Sequence, residues 1–149
     1  MPKYRYPYQK IVDLKKSEKT QAEWMLSAAI GKLQAEEQSL EQLTADRHAW
    51  LEHLQTAAGG GAPLSELQMV QGYVDYLETA IARKMQDVEL AMAEVSRKQS
   101  ALSDTMKDEK VWLKAKEKSL QKFMHTALVK EQNELDEMAT VRFLLPSHG

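Results

Sequence analysis

Ala57-Ala58-Gly59-Gly60-Gly61-Ala62-Pro63 is the one strong interruption in this chain. Glycine frees the backbone from side-chain constraint, and proline lacks the N–H that a helix interior needs, so this run reads as stop, turn and restart. On either side, from Tyr8 to Gln55 and from Leu64 to Leu145, the sequence is free of proline and poor in glycine. The fold expected is all-α: a long antiparallel two-helix coiled-coil hairpin with helix one over about 8–57, the turn over 58–63 and helix two over about 64–143. It is read as a single unit of 1–149, with Pro7 near the opening of the first helix and Pro146 closing the second.

Composition supports the same class. The chain has 149 residues with 28% charged and 7% aromatic, and Ala, Leu, Glu, Lys, Gln and Met predominate, as in coiled coils. It has no cysteine, which excludes disulfides and thiolate metal sites and fits a reducing compartment. No stretch approaches the roughly 18 consecutive apolar residues of a membrane span, and the first twenty residues lack an apolar signal core. The expectation is a soluble cytoplasmic protein. Its net charge of −2 is unevenly spread. Segment by segment the balance is roughly +4 over 1–20, −4 over 21–60, −4 over 64–95, +4 over 96–122 and −2 over 123–149. A fold-back at the glycines would bring the basic segments together near the termini and the acidic ones near the turn.

Each helix carries an apolar stripe. In the first, Leu26, Ile30, Leu33 and Leu40 follow steps of four and three with Glu37 interrupting; Leu43, Trp50, Leu54 and Ala57 continue after a three-three step, with Arg47 in the seam. In the second, Leu67, Val70, Val74, Leu77 and Ile81 lead, after a four-four step, to Met85, Val88, Met92, Val95, Leu102, Met106 and Leu113. Ser65, with Gln68 three residues later, is the expected N-cap of the second helix. At about 1.5 Å per residue the helices would run roughly 75 Å and roughly 120 Å. Symmetric pairing about the turn sets Tyr8 opposite Trp112 and leaves about thirty residues of helix two overhanging. That overhang is apolar on one face, through Leu113, Leu120, Phe123, Met124, Leu128, Leu135, Met138 and Phe143, which marks an interaction surface or a homodimer contact.

No enzyme is expected: catalytic, cofactor-binding and metal residues are all read as none. His48 and His53 stand five apart, which does not put two imidazoles on one helical face, and His125 and His148 lack neighbouring ligands. The glycine run is followed by no Lys-Ser or Lys-Thr pair, so it is a turn and not a phosphate loop. Adjacent carboxylates such as Glu36 with Glu37 or Asp136 with Glu137 point in different directions and read as a solvated face. Lysines alternate with acids in Lys114-Ala115-Lys116-Glu117-Lys118, so no nucleic-acid partner is expected.

Three segments carry a family likeness. They are Tyr4-Arg5-Tyr6-Pro7-Tyr8-Gln9-Lys10-Ile11-Val12-Asp13-Leu14-Lys15, Tyr73-Val74-Asp75-Tyr76-Leu77-Glu78-Thr79-Ala80-Ile81, and Lys130-Glu131-Gln132-Asn133-Glu134-Leu135-Asp136-Glu137-Met138-Ala139-Thr140-Val141-Arg142-Phe143. In order and placement they resemble the bacterial flagellar export proteins of the FliJ family, over the whole chain. The resemblance implies a stalk-like activator seated in the hexameric flagellar export ATPase, contact with the cytoplasmic part of the transmembrane export gate and with export chaperones, and peripheral association with the inner face of the cell membrane at the flagellar base. It implies a gate-binding patch at the positions of Tyr73, Leu77, Ala80 and Lys84. Leu77 also lies on the inner stripe, so a core role stands beside the contact role, and Lys84 departs from the polar or imidazole group expected there. The overhang residues Leu120, Phe123, Met124, Leu128, Leu135 and Met138 are assigned to ring docking. The free protein is expected to be monomeric. The stalk of an injectisome system and a self-associating structural scaffold are the alternative readings.

Overall fold

The computed structural model describes residues 3–144 and is all-α. Helix α1 spans Gln9–Gly59 and helix α2 spans Leu64–Leu144, and the two pack against each other as a helical hairpin. Pro146 and His148 lie outside the described residues.

The turn is built by one glycine. Gly61 has φ +74°, the left-handed conformation that costs any residue with a Cβ, and no other described residue has a positive φ. Around it the Ala62 N–H donates to the Ala57 carbonyl at 3.0 Å and the Gly61 N–H to the Ala58 carbonyl at 3.4 Å. These are the two bonds of a Schellman motif, which satisfies carbonyls that the end of α1 would leave orphaned. Gly59 therefore continues the helix and is not itself the turn. At the start of α2 the Glu66 and Leu67 N–H groups both donate to the Pro63 carbonyl, at 3.1 and 3.2 Å. Pro63 thus holds the cap position, and the expected Ser65 cap is corrected: Ser65 lies inside the first turn, where the Glu66 carboxylate complements the helix dipole. The first helix opens in the same way, with the Ile11 and Val12 N–H groups on the Tyr8 carbonyl.

Residues pack in two compact units, one of Met1–Lys19 with Asp104–Gly149 and one of Thr20–Ser103. In the turn unit the buried core is Ala22, Ala29, Val70, Val74, Leu77 and Ala91. In the terminal unit it is Tyr6 and Val12, and Glu109, paired with Lys19, is buried there as well.

The burial pattern redraws the seams. The shielded positions of α1 are Val12, Lys15, Lys19, Ala22, Leu26, Ala29, Leu33, Glu36, Leu40, Leu43, Arg47, Leu54 and Ala57, with Trp50 at the edge. Those of α2 are Leu67, Val70, Val74, Leu77, Ile81, Lys84, Val88, Ala91, Val95, Lys98, Leu102, Thr105, Glu109, Trp112, Lys116, Ser119 and Phe123. Both alternate steps of three and four without a break, so the irregular steps expected from the sequence are absent. Those steps came from preferring the nearest large apolar residue: Ile30, Met85, Met92 and Met106 are 37%, 55%, 55% and 51% exposed, one position past seam residues that are small or charged.

Candidate functional site

The seam tolerates charge because the charges meet. In the turn unit Lys84 Nζ lies 2.9 Å from Glu36 Oε2, and the Arg47 guanidinium 3.1 Å from Glu78 Oε1. In the terminal unit Lys15 Nζ lies 2.7 Å from Asp108 Oδ2, and Lys19 Nζ 3.0 Å from Glu109 Oε1. The Asp108 hydrogen bond raises the pKa of Lys15, and the Glu36 hydrogen bond does the same for Lys84, both acting against partial desolvation. The Arg97 hydrogen bond lowers the pKa of Glu94, which also pairs with Lys98.

An aromatic patch lies near the turn. Tyr73, 41% exposed, packs edge-on against Trp50 with centroids 5.2 Å apart and stacks on Tyr76 at 6.1 Å, while Trp50 also meets His53 at 5.5 Å. Of the four residues assigned to gate contact, Tyr73 is exposed and Ala80 half-buried at the flank. Leu77 is only 2% exposed and fills the core between the helices. Its assignment as a contact residue is corrected to a packing one, since a partner cannot reach a side chain enclosed by α1. Lys84 is engaged by Glu36 and lies 3.7 Å from Asp87. The four-three-four spacing therefore crosses from flank into seam. Trp50 and Tyr76, the latter 65% exposed, complete the patch; Trp50 lies outside the expected site because it comes from the other helix and shares no sequence spacing with it, whereas Tyr76, three residues from Tyr73 on α2, is within reach of the helical spacing.

At the other candidate surface, residues 4–8 extend the cover over α2 beyond the start of α1. Tyr8 meets Trp112 with centroids 6.0 Å apart, the pairing expected from symmetry about the turn. Tyr4 packs on Phe123 at 5.3 Å, and its hydroxyl donates to the Lys116 carbonyl at 3.4 Å. Phe123 is therefore partly covered, and Leu113 and Leu120, 36% and 37% exposed, flank the covered stretch. The uncovered stretch begins after Phe123, later than expected: every residue from 124 to 143 is exposed. Within it Met124, Leu128, Leu135 and Met138 are 55–63% exposed, and their steps of four, seven and three keep them on one helical face. His48 Nε2 lies 3.2 Å from Glu52 Oε1, one turn away.

Two long helices joined along a charge-paired seam define an all-α coiled-coil hairpin. The sequence profile of the family described as Flagellar FliJ protein matches residues 4–147. The chain belongs to that family, whose members are flagellar export components. It is 20% identical over 145 residues to the Flagellar FliJ protein of Bacillus subtilis (strain 168), covering 97% of this chain and 99% of that protein. Its fold is similar to the solved structure of a YscO homolog, CT670, from Chlamydia trachomatis, with a TM-score of 0.69, 18% identity and 95% and 96% of the two chains covered. No helix among the described residues is long and apolar enough to cross a membrane.

Proposed function

We propose that this protein is a non-enzymatic, stalk-like activator of the hexameric ATPase of a flagellar type III export apparatus. It joins that ATPase to the cytoplasmic part of the export gate and to export chaperones at the inner face of the membrane. The observation that carries this reading is the uncovered stretch 124–143, an apolar face on a helix without a partner. Docked in a ring, Met124, Leu128, Leu135 and Met138 would bury that face, and binding that favours the assembled ring raises turnover without an active site in the stalk. The gate contact falls to the aromatic patch of Tyr73, Tyr76 and Trp50 with Ala80 beside it, while Leu77 and Lys84 hold the patch in place from the seam.

The same exposed face supports a second reading, self-association as a coiled-coil scaffold. ATP turnover by the purified export ATPase separates the two. Full-length protein should stimulate it, and a chain ending at Phe123 should not, while both melt alike and sediment as monomers. Equal stimulation by the truncated chain would remove 124–143 as the docking element. A full-length dimer that becomes monomeric on truncation would favour the scaffold.

A further inference from the structure

The heptads give the turn unit two unlike flanks. Ile30 follows the seam residue Ala29, Met85 follows Lys84, and Met92 follows Ala91. Residues one position past such a seam residue turn the same way on both strands of an antiparallel pair and so lie on one side of it. Counted from the Lys84–Glu36 contact, Ile30 comes within two residues of the level of Met92 and Glu37 within two of Met85, about 3 Å along the axis. All three apolar side chains are exposed, Ile30 to 37% and both methionines to 55%. Around them, on the same flank of residues 20–103, the ionised side chains are Glu23, Glu37, Glu41, Asp75, Glu78 and Glu89, with neither lysine nor arginine. Among them Glu78 pairs with Arg47 of the seam. The opposite flank, which carries Tyr73 and Tyr76, is of mixed sign, with Lys32, Arg83 and Arg97 against Asp46, Glu66, Asp87 and Glu94.

We propose that the Ile30, Met85 and Met92 flank is a docking groove for a basic amphipathic helix of a partner protein. The apolar stripe of such a helix would bury Ile30 and the two methionines, and its lysines or arginines would meet the carboxylate rim. Charge selects this occupant: a carboxylate rim attracts a cationic helix, repels an acidic one and gives a neutral one no electrostatic gain. Methionine suits a groove that must fit helices of varied shape, because its unbranched, polarizable side chain repacks at low cost. The inference does not depend on ring docking, since it uses neither residues 124–143 nor the aromatic patch.

The test uses the full chain and two synthetic helical peptides of about three heptads, one built of leucine and lysine and one of leucine and glutamate, followed by fluorescence anisotropy. The lysine peptide should bind and the glutamate peptide should not. M85Q with M92Q should weaken binding by roughly tenfold or more, as should E37Q with E89Q, while M69Q with L90Q on the opposite flank should leave it unchanged. Circular dichroism should find all variants as helical as the parent, because the substituted side chains are exposed. Equal loss from the opposite-flank variant, or equal binding of both peptides, would overturn the groove. So would a parent dimer that M85Q with M92Q converts to monomer, since the flank would then be occupied by a second copy.

Discussion

Lys84 and Glu36 meet 2.9 Å apart across the seam of the turn unit, at positions where each helix would otherwise present an apolar residue. Both side chains are about three-quarters shielded, so neither charge is easily left alone. K84E or E36K alone should lower the melting temperature by several degrees by facing like charges, and the double reversal should recover most of the loss. A double variant no more stable than the singles would mean that the pair is incidental to the packing.

Leu77 and Tyr73, one helical turn apart, should respond in opposite ways. L77A empties a buried core site and should cost about 2–5 kcal/mol in chemical denaturation. Y73A removes a half-exposed ring that meets Trp50 edge-on and stacks on Tyr76, and should cost about 0.5–1.5 kcal/mol while weakening gate binding much more. A severe stability loss from Y73A would make the aromatic patch structural.

Gly59 and Gly61 should respond differently to replacement. G61A places a Cβ in the left-handed region and should destabilise by about 1–2 kcal/mol. G59A lies in helical backbone with open space around the new methyl and should be neutral or stabilising by up to about 1 kcal/mol. Equal effects at both positions would assign the turn to tertiary packing.

Lys15 and Lys84 have raised pKa values, each chiefly through a hydrogen bond to a carboxylate across the seam. A group whose pKa is raised on folding stabilises fully below its unfolded value, and that contribution is lost as pH climbs through the folded value. Thermal stability should therefore begin to fall as pH climbs past the ordinary lysine value of about 10.4 and go on falling through the raised folded values. K84M should make the fall shallower. An unchanged slope would detach Lys84 from the alkaline transition.

Much of this was legible in the chain. The turn, both helices and the partnership of Tyr8 with Trp112 followed from glycine, proline and apolar spacing, which are local signals. The seam was misread where Ala29, Glu36, Lys84 and Ala91 occupy it, because hydrophobicity favours Ile30, Met85 and Met92, and only the partner helix reveals that a charge is neutralised. Ser65 is not the cap because the helix begins before it, at Leu64, with Pro63 in the cap position and its carbonyl accepting from Glu66 and Leu67. Of the assigned contact residues, Leu77 could not be placed without knowing which face α1 covers. Cover from Tyr4 over Phe123 was hidden by a separation of more than a hundred residues.

That separation also orders events during synthesis. The turn unit closes around Gly61 from segments that leave the ribosome one after the other, so its pairing needs only a short loop. The terminal unit joins the first nineteen residues to a segment that begins at Asp104, and Tyr4 must wait for Phe123 to be translated. A nascent chain stalled before that point would hold a closed turn unit while Tyr6 and Val12, buried in the finished protein, stayed exposed to chaperones and proteases.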